Sequence, residues 1–422
     1  MFVERSAAKI RAVRTLFVVA CLLPTVGLVG WVWYRRSPIY ADPLTAGWSR
    51  TLGLTVTADS LEHLRPNVIR LQEVAILDAA TRPLTRLPEA ELEQRADGVI
   101  ARLPTVVLDA AAVAAAARFS VAWLTEPVRF PSGGVLQIDG LSWAAGSQQQ
   151  PLGGFRIEYV IAEGGRAIRV RREPADADEL RLRAVATSDG PRLEAELTCE
   201  RGLPAELVAA ATGWLPRLGP SATVRGNFRA TAEEAQGGHA TWSGDGEAVV
   251  VGVDLAGLAA VVGQRAQGEG VLRIEALTLE EGRITAARFL LSAEEGTLGR
   301  GLLERLVTVF DCRLGPAAGM VVADQEWLAG PPYPFDQADF AVDLTRAGMT
   351  LRSGGTARAD LVTVAGQALL ESAGGSISYE RFAWLFAPYA KGTLPAAIPA
   401  SEQAIEVLSH LPIASDAPQS RF

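Results

Sequence analysis

Apolar and charged residues alternate along most of this chain, and a side-chain repeat of two suits a strand and no helix. Phe155, Ile157, Tyr159 and Ile161 alternate with Arg156 and Glu158. Leu180, Leu182, Ala184 and Ala186 alternate with Arg181 and Arg183, and Leu193, Ala195, Leu197 and Cys199 with Glu194, Glu196 and Thr198. Ala338, Phe340, Val342 and Leu344 repeat the pattern near the far end. Each such run turns one face to apolar surroundings and the other to water. Gly164-Gly165, Asp189-Gly190, Gly244-Asp245-Gly246, Glu281-Gly282 and Ala347-Gly348 read as the turns between antiparallel neighbours.

A second spacing runs through the first. Ile69/Leu71/Val74/Ile76, Leu136/Ile138/Leu141/Trp143, Leu272/Ile274/Leu277/Leu279 and Ile284/Ala286/Phe289/Leu291 all place apolar residues at i, i+2, i+5 and i+7. One extra residue between two alternating stretches gives this spacing. A β-bulge supplies that residue and returns the apolar side chains to the same face. Val107 to Arg118, Pro204 to Trp214, Leu255 to Arg265 and Leu298 to Phe310 have helical spacing or alanine-rich composition instead. The expected fold is mainly β with a few helices.

Leu16 to Tyr34 carries no charge over 19 residues. As a helix it is about 29 Å long, close to the hydrocarbon thickness of a bilayer. Trp31, Trp33 and Tyr34 stand where rings favour the headgroup level, and Arg5, Lys9, Arg11 and Arg14 precede the run, against Arg35 and Arg36 after it. That charge bias predicts a single-pass anchor with its N-terminus in the cytoplasm. A cleaved signal peptide would have a shorter apolar core and a small-residue cleavage site, and this run ends in Trp-Val-Trp-Tyr-Arg-Arg. The predicted organisation is an anchor over residues 1–36, a β-rich body over 37–395 outside the cytoplasm, and a loosely ordered tail over 396–422.

Net charge is −8 and no basic stripe is interleaved with aromatics, which argues against a nucleic-acid partner. Cys21 falls in the anchor, so Cys199 and Cys312 are read as two isolated buried thiols. His63, His239 and His410 have neither H-E-x-x-H spacing nor a C-x-x-C partner, so no metal site is expected. No nucleophile elbow occurs, and Gly296 to Gly301 lacks the Lys of a P-loop and reads as a turn before a helix. Asp176, Asp178 and Glu179 lack the Gly and final Glu of a calcium loop and read as a solvated turn. The residues point to a protein that binds without chemistry, needing no cofactor. Phe382, Trp384, Phe386 and Tyr389 crowd one segment, either as a buried closing element or as a docking site for a partner or membrane surface.

Three stretches resemble the AsmA-like, TamB-like family of bacterial envelope proteins. Leu52 to Val56 followed by Ile69 to Asp78 resembles their first hairpin, and Gly270 to Ile284 their strand–Gly–strand units. Phe335 to Phe340, continuing through Gly348 to Leu351, resembles their C-terminal hairpin. The resemblance implies an inner-membrane anchor and a periplasmic, elongated, twisted antiparallel sheet forming an open apolar groove. It also implies phospholipid as partner, with a possible envelope protein partner, in lipid transport or outer-membrane assembly. Groove candidates are Ile69, Leu71, Leu136, Ile138, Leu272, Ile274, Leu277, Leu279, Ile284, Phe289 and Leu291. With roughly 18–20 strands at about 4.8 Å, such a groove is shorter than those of the best-known members. The alternative is a scaffolding envelope protein whose apolar face is covered by its own helices.

Overall fold

The computed structural model describes residues 7–52, 55–77, 83–95, 98–130, 132–145, 148–162, 165–174, 178–187, 190–212, 218–234, 240–321, 332–355 and 359–386. These residues form 20 strands and a smaller helical complement, and every described strand pairing is antiparallel. The chain divides into two compact units: Met1–Ser142 with Gly153–Arg156, and Trp143–Leu152 with Ile157–Phe422.

The first unit opens with α1 (Ala7–Phe17), a π turn over Val18–Leu22 and α2 (Leu23–Arg36). Pro24 has no N–H to give and its ring crowds the preceding turn; the wider π turn just before it accommodates both effects. Arg11–Arg35 is long and apolar enough to cross a membrane, and none of it is buried in the protein. Ser37 leaves the helical region (ψ 151°), and α3 (Pro38–Leu52) follows. That helix departs from the expected start of a β body. Proline at its first position is compatible with helix, and Pro43 inside it is tolerated because tertiary contacts hold the rest. Thr45 is buried, and Ser49 accepts from the Val56 N–H at 2.8 Å.

Strands β1 (Thr55–Thr57) and β2 (Ser60–Arg65) both pair with β3 (Val68–Leu77), which leads on to β4 (Pro83–Arg95) and β5 (Gly98–Leu108). Glu73, at φ 49°, switches the side-chain alternation between Leu71 and Val74. Leu61, Leu71, Val74, Leu87 and Ala90 are all buried. Helix α4 (Ala110–Thr125) starts three residues later than Val107, because Val107 and Leu108 complete β5 and the Asp109 carboxylate caps the Ala112 N–H at 2.8 Å. β6 (Gly133–Ala145) and β7 (Gln148–Ala162) are divided between the two units.

The second unit is a meander with helices inserted at alternate connections. It runs β8 (Gly165–Glu173), β9 (Glu179–Thr187), β10 (Gly190–Pro204), α5 (Ala205–Thr212), β11 (Thr223–Glu234), β12 (Ala240–Asp254), α6 (Leu255–Val261), β13 (Ala266–Glu280) and β14 (Arg283–Leu298). Then follow α7 (Arg300–Phe310), β15 (Arg313–Leu314), α8 (Pro316–Val321), β16 (Tyr333–Thr345), β17 (Gly348–Ser353), β18 (Asp360–Val364), β19 (Gln367–Glu371), β20 (Ser376–Ile377) and α9 (Tyr379–Phe382). A short 3-10 turn, Ala383–Phe386, ends the described chain. Because α5, α6 and α7 each follow an even-numbered strand of an up-and-down meander, all three lie at the same end of the strands. Gly244-Asp245-Gly246 is not a turn. It lies inside β12, where a Cβ at either glycine would strike the β11 backbone, so glycine permits the close approach.

Candidate functional site

Register in the second unit aligns the apolar sides of successive strands into rows. One row runs Val170–Leu180–Leu197–Phe228–Gly246–Leu277–Ala287–Leu344–Met349–Ile377, each residue directly opposite the next. A parallel row runs Ile168–Leu182–Ala195–Ala230–Gly244–Leu279–Ile284. A third joins Cys199, Gly226, Ala248, Ile274, Phe289, Val342 and Leu351. The opposite side of the same strands carries Arg169, Arg181, Glu196, Arg229 and Asp245 in line. There Arg229 meets Glu196 at 2.7 Å, and Arg181 meets Glu179 at 2.5 Å. One side is therefore mainly hydrocarbon, broken by Arg166 and Arg172 on β8, and the other carries most of the charge.

The cover over the apolar side changes along the first row. Leu180, Leu197, Phe228 and Leu277 stay partly exposed, whereas Leu344, Met349 and Ile377 are each 4% exposed. Over that last part lie Leu303, Leu306, Val309 and Phe310 of α7, together with Tyr379, Leu385 and Phe386. Arg305 donates to the carbonyls of Trp384 (3.0 Å) and Leu385, and Arg381 grips Asp311 (2.6 Å) and the Thr308 carbonyl (2.8 Å). The guanidinium of Arg381 holds the Asp311 carboxyl below its usual range.

The bulged spacing is present in β13. Ile274 lies opposite Phe289 and Ala276 opposite Arg288, so Glu275 is the extra residue and Leu272, Ile274, Leu277 and Leu279 share the apolar side. β14 departs from the predicted spacing. The shift there lies at Thr285, which turns Ala286 to the charged side opposite Thr278 and puts Ala287 on the apolar side with Ile284, Phe289 and Leu291. The seven candidates on β13 and β14 meet across one hairpin: Leu272 faces Leu291, Ile274 faces Phe289, and Leu279 faces Ile284. Ile274 and Leu279 are buried, and the other five are partly exposed. In the first unit, Leu71 and Ile138 are buried, while Ile69 and Leu136 are partly exposed.

Among the docking candidates, Phe386 is 3% exposed and Phe382 packs edge-on between Phe310 (6.3 Å) and Phe386 (6.0 Å). That places them in the closing element. Trp384 is exposed, and Tyr389, like His239, His410, Asp176 and the 396–422 tail, lies outside the described residues. Phe228 and the glycines around it were missed as part of the apolar side, because Gly226, Gly244 and Gly246 interrupt the hydrophobic pattern by which a strand is recognised.

Cys199 and Cys312 are free and buried; burial raises both thiols, Cys312 to about 12. Asp178 is not a solvated turn residue. It is buried, accepts from the N–H groups of Glu200 (2.7 Å) and Arg201 (2.9 Å), and pairs with Arg172 at 3.2 Å. His63 packs against Tyr40, and burial first, then the Arg35 charge, lowers its pKa. Among the described residues no group of three or more His, Cys, Asp or Glu side chains gathers as a metal would require. Compared with known protein families, curated proteins and solved structures, the chain matches none.

Proposed function

We propose that this protein is a membrane-anchored envelope protein that binds lipid acyl chains on the apolar side of its sheet, in lipid transport or outer-membrane assembly. The observation that carries the reading is the partly exposed first apolar row, Val170 to Leu277 over β8–β13, on strands whose other side is charged. Leaving several large apolar side chains partly in water has a cost of about 25 cal/mol per Å² of exposed apolar area, and an acyl chain laid along them would recover it. The helix over Arg11–Arg35 supports a bilayer as the source of that ligand. The charge bias around the helix supports an N-terminus in the cytoplasm and a body on the other side of the membrane, which the family resemblance reads as the periplasm.

A scaffolding role without a conduit is favoured by one observation, the full cover over β16 and β17 by α7 and the C-terminal segment. The two readings part in a single experiment. Purify the full-length protein in mild detergent and identify bound lipid by native mass spectrometry, for wild type and for Leu182→Asp and Phe228→Asp. Both positions are partly exposed, so the carboxylate can stay hydrated and the fold should survive while acyl chains are repelled. Lipid on wild type, and its loss from folded variants, supports lipid binding. A wild type free of lipid supports the scaffold.

A further inference from the structure

The membrane-length helix meets the first strands of its own unit at an aromatic elbow. α2 ends at Arg36, Ser37 turns the chain, and Tyr40 follows in the first turn of α3. The Tyr40 ring is 5.6 Å from that of Tyr34 on α2 and 5.7 Å from that of His63 on β2. The Arg35 guanidinium lies over the same ring at 5.2 Å and over Trp31 at 4.8 Å. One tyrosine therefore joins a cation on the anchor to an imidazole on the sheet.

His63 is partly buried, and its Nε2 is closed off with no hydrogen-bond partner among the described residues. A neutral imidazole tolerates that position. An imidazolium would bury an unmatched charged N–H there and set a second positive charge against the ring that Arg35 already covers. The elements packed on β2 are α2, α3 and β3. On α2 and α3 the titratable side chains described are Tyr34, Arg35, Tyr40, Asp42 and Arg50, of which Asp42 and Arg50 are exposed. On β2 itself, Glu62 alternates to the other side opposite Arg70, and Arg65 is exposed beyond a register shift. On β3, Arg70 is held on that other side by Glu89 (2.8 Å) and Glu91 (2.7 Å), and Glu73 is exposed. Burial first, then the Arg35 charge, holds His63 below its ordinary pKa of 6.5.

We propose that His63 is an acid-sensitive latch between the membrane anchor and the sheet: neutral, it seats the elbow on β2; protonated, it is driven out by Arg35 and by the lack of water, and α2 is freed from the strands. A second tie, Ser49 accepting from the Val56 N–H at 2.8 Å, has no titratable group, so α3 stays joined to β1 while the elbow opens. The open elbow takes up its proton near pH 6.5 and the closed one only at lower pH. Closure is therefore complete above about pH 6.5 and weakens as pH falls below it. None of this depends on what the apolar side of the second unit binds.

The test is hydrogen exchange of the full-length protein in mild detergent, read by mass spectrometry from about pH 7.5 to about pH 5.5 and corrected for the intrinsic pH dependence of exchange. Peptides over 37–44 and 60–65 should exchange faster below about pH 6.5, with a slope no steeper than about tenfold per pH unit, the limit for one proton. A peptide over 272–291 should show no such change and serves as the fold control. His63→Gln, and His63→Phe with a ring kept against Tyr40, should each flatten the profile, and one folded variant suffices. A flat wild-type profile overturns the latch without any variant. So does an acid response that persists in a folded variant, or one that appears equally over 272–291 and is then general acid unfolding.

Discussion

At the scale of single residues, the depth of a side chain on the apolar side decides what a substitution does. Leu369 is 0% exposed in the core cluster that α7 also joins, so Leu369→Ala should destabilise by about 2–5 kcal/mol in a chemical denaturation. Alanine at Leu182, partly exposed, should cost visibly less. The two buried thiols give a second residue-level expectation. At about pH 8 iodoacetamide should label Cys312 slowly in the folded protein and quickly in denaturant, since only the thiolate reacts. The sign follows from the raised pKa: the folded state retains the proton longer than the unfolded chain, so this thiol's contribution to stability is complete below its ordinary pKa and is lost as pH climbs from about 9 to about 12. Rapid native labelling at both cysteines would contradict their burial. Alternation was enough to put Leu180, Leu182, Leu193 and Leu197 on one side. It could not show that Glu275 and Thr285 carry the bulges, nor that Ala286 therefore faces outward, because a bulge is fixed by the partner strand's register.

At the scale of elements, local chemistry marks the helices better than composition does. Asp109 and Asp254 each cap the helix that follows, through the N–H groups of Ala112 (2.8 Å) and Ala256 (2.9 Å). Asp109→Ala should lower stability by about 1 kcal/mol in a denaturant melt, and Asp109→Asn should restore most of it. No change on substitution would mean that α4 is held by packing alone. Four of the helices were expected from alanine-rich spacing, with ends shifted by a few residues. The helix over Pro38–Leu52 was not, because prolines and Gly47 weaken its helical signal and its support comes from packing against α2, β1 and β2, with Ser49 accepting from the Val56 N–H. The aromatic C-terminal segment was ambiguous for the same reason. Contacts between residues far apart in sequence show it as a closing element: Arg305 donates to the Trp384 carbonyl, Arg381 reaches back to Thr308 and Asp311, and Phe382 packs between Phe310 and Phe386.

At the scale of the whole molecule, the mainly β fold and a membrane-length first helix follow directly from period-two alternation and an uncharged run, and the structure contains both. The cover over the apolar side was beyond reach of the same patterns, since alternation marks an apolar side and not what lies on it. Topology gives one prediction here. A C-terminal alkaline phosphatase fusion should be active and the chain should resist carbonate extraction; an inactive fusion or a soluble, shortened chain would contradict the proposed anchored, periplasmic arrangement. The most direct measurement places a photoactivatable phospholipid against the two sides of one strand pair. Cysteines introduced at Leu182 and Leu197 on the apolar side, and at Arg181 and Glu196 on the charged side, are followed for crosslinks to a diazirine carried on the acyl chain. Crosslinks at 182 and 197, with background at 181 and 196, are the predicted result. Equal labelling of both sides, or none at 182 and 197, would contradict lipid binding on this face.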